Sequence, residues 1–350
     1  MPRTPRALAL IALAVAVGLL TACTPAADNS NESSTSPSGR TTVTAASPSP
    51  TPTTARTTKP TVPPVDPALL QEATDVFHAV SVSMRGVSFD GGFTPDAVPP
   101  AYPKHLMGSQ LIVAIVNANA WHEAGYRRVS GVEELVDIQP YPAMYDGSLV
   151  ALSGCRKQTD VRFEVRDNGS GWPGGDEQQV AFFKRDTDGL LKIFHISQHD
   201  VTSCDKRSAD PALVAEASTI YGTVLGLLDT HLVAGGLNQA DYPTSGFAPY
   251  LGHQARAMLL LDLELARVSD QTTTRDGPTR FGRVTEWPYA RRGSIVALTS
   301  CLDRSTTVRT TMTGNRYRDM PRIFFAYFTR DPAGTLRLST IDSFSVDVCP

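Results

Sequence analysis

The side chains of this sequence able to do chemistry are few and scattered. His195, His199 and Asp200 lie close together near the end of a β-prone run, and Asp160 lies upstream of them. In a regular strand Ile193, His195, Ser197 and His199 share one face and Phe194, Ile196, Gln198 and Asp200 the other. Two imidazoles at i and i+4 on a strand sit about 13 Å apart, too far to hold one metal ion. Trp121-His122-Glu123 closes a helical stretch, where His122 and Glu123 point about 100° apart. Asp186-Thr187-Asp188-Gly189 imitates the start of a calcium loop but lacks the later ligands, so it reads as a hairpin turn. No phosphate-binding glycine loop, Gly-x-Ser-x-Gly or His-Glu-x-x-His occurs, and no cofactor or metal is expected. Trp172, within Gly169-Ser170-Gly171-Trp172-Pro173-Gly174-Gly175, is expected in a loop between strands, a contact residue if exposed.

The cysteines carry a stronger signal. Leu20-Thr21-Ala22-Cys23 follows a basic start (Arg3, Arg6) and an apolar run from Ala7 to Leu20, which is too short to span a bilayer. It resembles the bacterial lipobox. That implies a signal peptide over 1–22, cleavage before Cys23, and acyl chains on Cys23 that anchor the protein to the outer face of the cytoplasmic membrane. Residues 23–66 then form a Ser/Thr/Pro-rich tether without enough apolar surface to offset ordering. Fully extended as polyproline II, it would reach roughly 130 Å.

The remaining chain repeats itself at a nearly constant offset of 144 to 146 residues. Asp66-Pro67-Ala68-Leu69 recurs as Asp210-Pro211-Ala212-Leu213, and Tyr141-Pro142 as Trp287-Pro288. Gly147–Cys155 recurs as Gly293–Cys301, the Arg-Asp pair at 185 recurs at 330, and Cys204 as Cys349. Two copies, 67–205 and 206–350, therefore follow the tether. In an oxidising compartment, cysteines at matching places predict one disulfide per copy, Cys155–Cys204 and Cys301–Cys349.

These residues need elements to position them. Apolar spacing predicts helices over Leu69–Met84 and about Leu106–Ala124, then over Ala212–Leu232 and His253–Arg267. Five β-segments follow in the first copy: Arg128–Ile138, Ser148–Cys155, Thr159–Arg166, Gln179–Arg185 and Leu190–Cys204. Short turns between them favour an antiparallel meander. The fold class is α+β, two tandem copies of a helix-then-curved-antiparallel-sheet cone. This order, with Val296-Ala297-Leu298-Thr299-Ser300-Cys301 and its Cys301-Leu302-Asp303 continuation, resembles actinobacterial envelope lipoproteins of the nuclear transport factor 2-like (cystatin-like) superfamily. Copy one departs from that motif with Cys155-Arg156-Lys157.

That superfamily holds both enzymes and binding modules. Its enzymes place Asp, His or Tyr inside the cone, where burial makes a useful base. No acid/base pair is shared between the copies: His195 corresponds to Thr340, His199 to Phe344 and Asp160 to Thr306. The expectation is a non-catalytic binding or scaffold protein of the envelope, its partner an envelope protein or a small hydrophobic ligand. His195, Trp172 and Trp121 are its candidate contacts. The alternative is an isomerase, cyclase or hydrolase with a buried acid/base group in one cone. A net charge of −3 argues against nucleic acid.

Overall fold

The computed structural model describes residues 65–166, 169–268, 272–291, 293–310 and 314–350. The expected signal peptide, Cys23 and the expected tether up to residue 64 lie outside the described residues. Val65 and Asp66, expected to close the tether, already belong to the folded body, since Val65 packs against the first helix–sheet core.

Each helix pair starts with the same device. The Asp66 side chain accepts the Ala68 N–H at 3.0 Å, Pro67 occupies the first turn, and α1 runs Pro67–Asp90. Gly91, with φ of 81°, stops it in the left-handed region, where a side chain would be strained. A short α2 (Ala101–His105) and then α3 (Gly108–Glu123) complete the layer. In the second half Asp210 accepts the Ala212 N–H at 2.8 Å and opens α4 (Pro211–Val233), followed by α5 (His253–Val268).

The strands of the first half are β1 (Tyr126–Pro140), β2 (Val150–Val165), β3 (Gly171–Pro173), β4 (Glu177–Arg185) and β5 (Leu191–Asp200). They form an open antiparallel sheet in the order β1-β2-β4-β5, with β3 beside β2. The two segments expected at Ser148–Cys155 and Thr159–Arg166 are one strand. Arg156-Lys157-Gln158 continues the ladder opposite Leu135, Glu134 and Glu133, and Arg156 pairs with Glu177 at 2.6 Å, so the charges between the segments are neutralised across strands. Trp172 lies in β3, paired with Phe163, and not in a free loop.

The second half has β6 (Thr272–Arg275), β7 (Arg280–Phe281), β8 (Thr285–Glu286), β9 (Val296–Asp303), β10 (Thr307–Thr310), β11 (Arg316–Arg318), β12 (Arg322–Arg330) and β13 (Leu336–Ser345). Its main sheet runs β13-β12-β9-β7, with β8 also on β9. The long β1 of the first half has no single counterpart here. Gly277, Pro278 and Gly282 break that stretch, and β6 joins a separate sheet, β11-β10-β6.

One face of each main sheet carries its helices. Phe77, Tyr102, Leu152, Phe183 and Ile193 fill the first helix–sheet space; Tyr221, Leu225, Phe247, Leu263 and Phe328 fill the second. The opposite faces pack on each other: Ala151, Val180 and Phe182 meet Ala297, Phe325, Tyr327 and Phe344. The layers are thus helices, sheet, sheet, helices. The seam is stitched reciprocally, with the Thr202 N–H donating to the Ala290 carbonyl and the Asp347 N–H to the Met144 carbonyl, each at 2.7 Å. Both disulfides form within a half, Cys155–Cys204 and Cys301–Cys349.

Candidate functional site

Both candidate tryptophans come to one place. The last turn of α3 delivers Trp121, Gly125 turns the chain at φ of 67°, and β1 begins at Tyr126. The β2–β3 pairing sets Trp172 beside Phe163. Trp121 meets Phe163 edge-on at 5.2 Å and Tyr126 at 6.2 Å; Trp172 meets Tyr126 at 5.0 Å and stacks on Phe163 at 5.7 Å. Trp172 is 38% exposed, so this four-ring cluster ends in an accessible indole. Arg127 and Glu164, paired at 2.6 Å, flank it. Such a surface offers rigid aromatic area to an apolar or planar group at little cost in side-chain entropy. His122 and Glu123 are exposed beside it, and Glu123 accepts from Asn119 at 2.9 Å.

His195 is elsewhere. The β4–β5 ladder shifts register between Phe182 and Phe183, leaving Phe194 as an extra residue. Strict alternation therefore fails: Ile193 faces the helices, whereas Phe194 lies in the core between the two sheets and His195 packs on Phe182. His195 rests 4.8 Å from Tyr145 and 5.8 Å from Phe182, and burial holds its imidazole below the ordinary value. Asp160 and Asp200 do not join it. Asp160 is exposed, with φ of 53°, and Asp200 lies 3.6 Å from Arg291.

His199 is buried between the sheets. Its Nε2 is 3.0 Å from Ser197 Oγ and its Nδ1 3.6 Å from Asp342. The order Ser–His–Asp matches a hydrolytic relay. Yet Ser197 and His199 are only 9% and 5% exposed, and the imidazole lies against Phe325 at 4.6 Å and Phe344 at 6.1 Å. The three groups pair their polar atoms with one another inside the seam. At the mouth of the first helix–sheet space a solvent-open cleft of about 300 Å³ remains, lined by His78, Arg85 and Glu133 among others.

A second ionisable cluster, which the sequence reading missed, sits in the second half. Thr307 on β10 lies directly opposite Arg275 on β6, so both share a face with Arg309, two residues along β10. Asp229 on α4 accepts from Arg275 at 2.8 Å and from Thr279 at 2.9 Å. Arg309 grips Asp319 with both arms of its fork, at 2.6 and 3.0 Å. Arg304, in the β9–β10 turn, lies 3.4 Å from each of these carboxylates. Burial and then repulsion from Arg309 and Arg275 hold Arg304 below its ordinary value, although Asp319 and Asp229 oppose this. Arg309 is shifted up, because Asp319 outweighs the burial. The only trace in the sequence is the density of arginines from 304 to 322.

No family model matches the chain, and no curated protein matches it. Among solved structures it is similar to the intermembrane space region of the chloroplast protein ARC6. That alignment covers 39% of this chain and 99% of the other at 13% identity, with a TM-score of 0.28. A likeness of this degree leaves function to the geometry of the chain itself.

Proposed function

We propose that this chain is a lipid-anchored, extracytoplasmic binding or scaffold protein of the bacterial envelope, without catalysis of its own. Acyl chains on Cys23 hold it to the membrane, and residues 24–66 lift two tandem cone-like copies, 67–205 and 206–350, of nuclear transport factor 2-like type. The copies act as a dimer folded into one chain.

The observation that carries this reading is the reciprocal seam. Equivalent backbone groups, Thr202 with Ala290 and Asp347 with Met144, bind each other across it. That exchange is the signature of an isologous interface. Two intradomain disulfides support an oxidising compartment. The helix–sheet interiors support binding from outside: Phe77, Phe183, Tyr221 and Phe247 are at most 1% exposed and occupy the space a ligand would need. The exposed Trp172 cluster then offers the contact surface for an envelope partner.

The test is expression of the full chain and of Cys23→Ser in a bacterial host, followed by detergent phase partition. The wild type is expected in the detergent phase with a lipid mass increment on its N-terminal peptide, and the variant in the aqueous phase. Equal partition of the two, or an unmodified Cys23, would overturn the reading.

A further inference from the structure

Three arginines of this protein spend their side-on fork, the parallel Nε–H and Nη2–H, on a carboxylate: Arg127 on Glu164, Arg267 on Glu264 and Arg309 on Asp319. Arg304 does not. Its side chain is 8% exposed, and both Nε and Nη2 are buried without a hydrogen-bond partner. Its Nε lies at ion-pair distance from Asp229, 3.4 Å, but without hydrogen-bond alignment, and Asp229 is already engaged by Arg275 and Thr279. Arg128 and Arg156 leave Nε alone unpaired, so among the buried arginines of the described residues an unpartnered fork sets Arg304 apart.

Three residues along the turn the Thr307 hydroxyl is also buried and unpartnered, at 0% exposure. The Thr307 N–H donates to the Arg304 carbonyl at 2.7 Å, which fixes the two backbones relative to one another. Charge points the same way. Three guanidiniums, Arg275, Arg304 and Arg309, share the two ion-paired carboxylates Asp229 and Asp319, while Asp262 acts on both Arg309 and Arg322. A surplus guanidinium with two vacant donors in a low-dielectric site is costly until an anion fills it.

We propose that the Arg304 fork and the Thr307 hydroxyl form a binding site for a small oxyanion, a carboxylate or a phosphate, at the helix-facing side of the β11-β10-β6 sheet. The planar fork fits the two oxygens of either group, whereas a spherical halide engages it less well. This assignment goes beyond the anchored-scaffold reading and stands whether or not Cys23 is lipidated.

The experiment is titration of the full chain with sodium acetate and sodium phosphate at constant ionic strength, chloride being the balancing ion. Melting temperature and the Arg Nε–H resonances are followed. The site predicts a saturable rise in melting temperature with at least one oxyanion and a shift confined to the Arg304 Nε–H; which of the two binds separates planar from tetrahedral ligands. Arg304→Gln is expected to weaken the response at least roughly tenfold, and Arg318→Gln, exposed nearby, to leave it intact. If Arg304→Gln fails to fold, Thr307→Val and the wild-type Nε–H resonance decide. No saturable response in the wild type, an equal response to chloride, or an unchanged response in a folded Arg304→Gln would overturn the site.

Discussion

His199 holds its Nδ1 3.6 Å from the Asp342 carboxylate and so ties the last strand of the first half to the last strand of the second. Arg291 binds the same carboxylate at 2.9 Å, and Ser197 occupies the other imidazole nitrogen. Burial pushes the Asp342 carboxyl up, but His199 and Arg291 pull it down further, and the net shift is below the usual carboxylate range. A group depressed in the folded state stabilises it above the unfolded value of about 3.9 and loses that contribution as the pH falls through the lower folded value. Urea unfolding across acidic pH should therefore show stability falling below pH of about 4, and Asp342→Asn should flatten that part of the profile.

Phe325 is fully buried between the sheets, with Trp287 at 4.6 Å and Phe344 at 5.9 Å. Phe325→Ala should cost about 3–5 kcal/mol, as large buried truncations do. Because the lost contacts lie in the seam, calorimetry should show one transition for the wild type and a broadened or split one for the variant. Phe183→Ala, in the first helix–sheet core, should cost a similar amount without splitting.

The two disulfides differ in cover. Cys155 and Cys204 lie beneath Tyr289 and Trp287 of the other half, whereas Cys349 is part exposed near the chain end. Thiol labelling in dilute reductant should therefore find Cys301 and Cys349 before Cys155 and Cys204. Each bridge closes a loop of 49 or 48 residues. Replacing either pair by serine should cost about 4 kcal/mol in the chain-entropy account.

Trp172 touches Tyr126 and Phe163 but stays open to solvent. Trp172→Ala should cost only about 1–2 kcal/mol, the worth of two aromatic contacts. If this cluster is the partner surface, the same change should abolish co-purification of envelope proteins crosslinked to the wild type, while the protein stays folded and melts only about 2–8 °C lower.

What could be read in advance follows from how local each signal is. Asp66-Pro67 and Asp210-Pro211 start helices by capping chemistry within three residues, and apolar spacing alone places those starts one or two residues late, at Leu69 and Ala212. The disulfides were legible because matching cysteines recur at one offset. His195 was not. A single extra residue at Phe194 turns the strand over, and the register shift depends on which residue β4 sets opposite. Arg304 was hidden for a related reason. Its vacant fork exists only because Arg275 and Arg309, brought in from other strands, have already taken the available carboxylates. No spacing along the chain encodes that competition.

The central claim is that two equivalent halves of one chain close on each other about a shared seam. A crystal structure of the full chain tests it most directly. Superposing residues 67–205 on 206–350 should bring α1 and α3 onto α4 and α5, and Cys155–Cys204 onto Cys301–Cys349, through a rotation near half a turn. A bridge joining one half to the other, or a failure of α1, α3, β2, β4 and β5 to superpose on α4, α5, β9, β12 and β13, would contradict it.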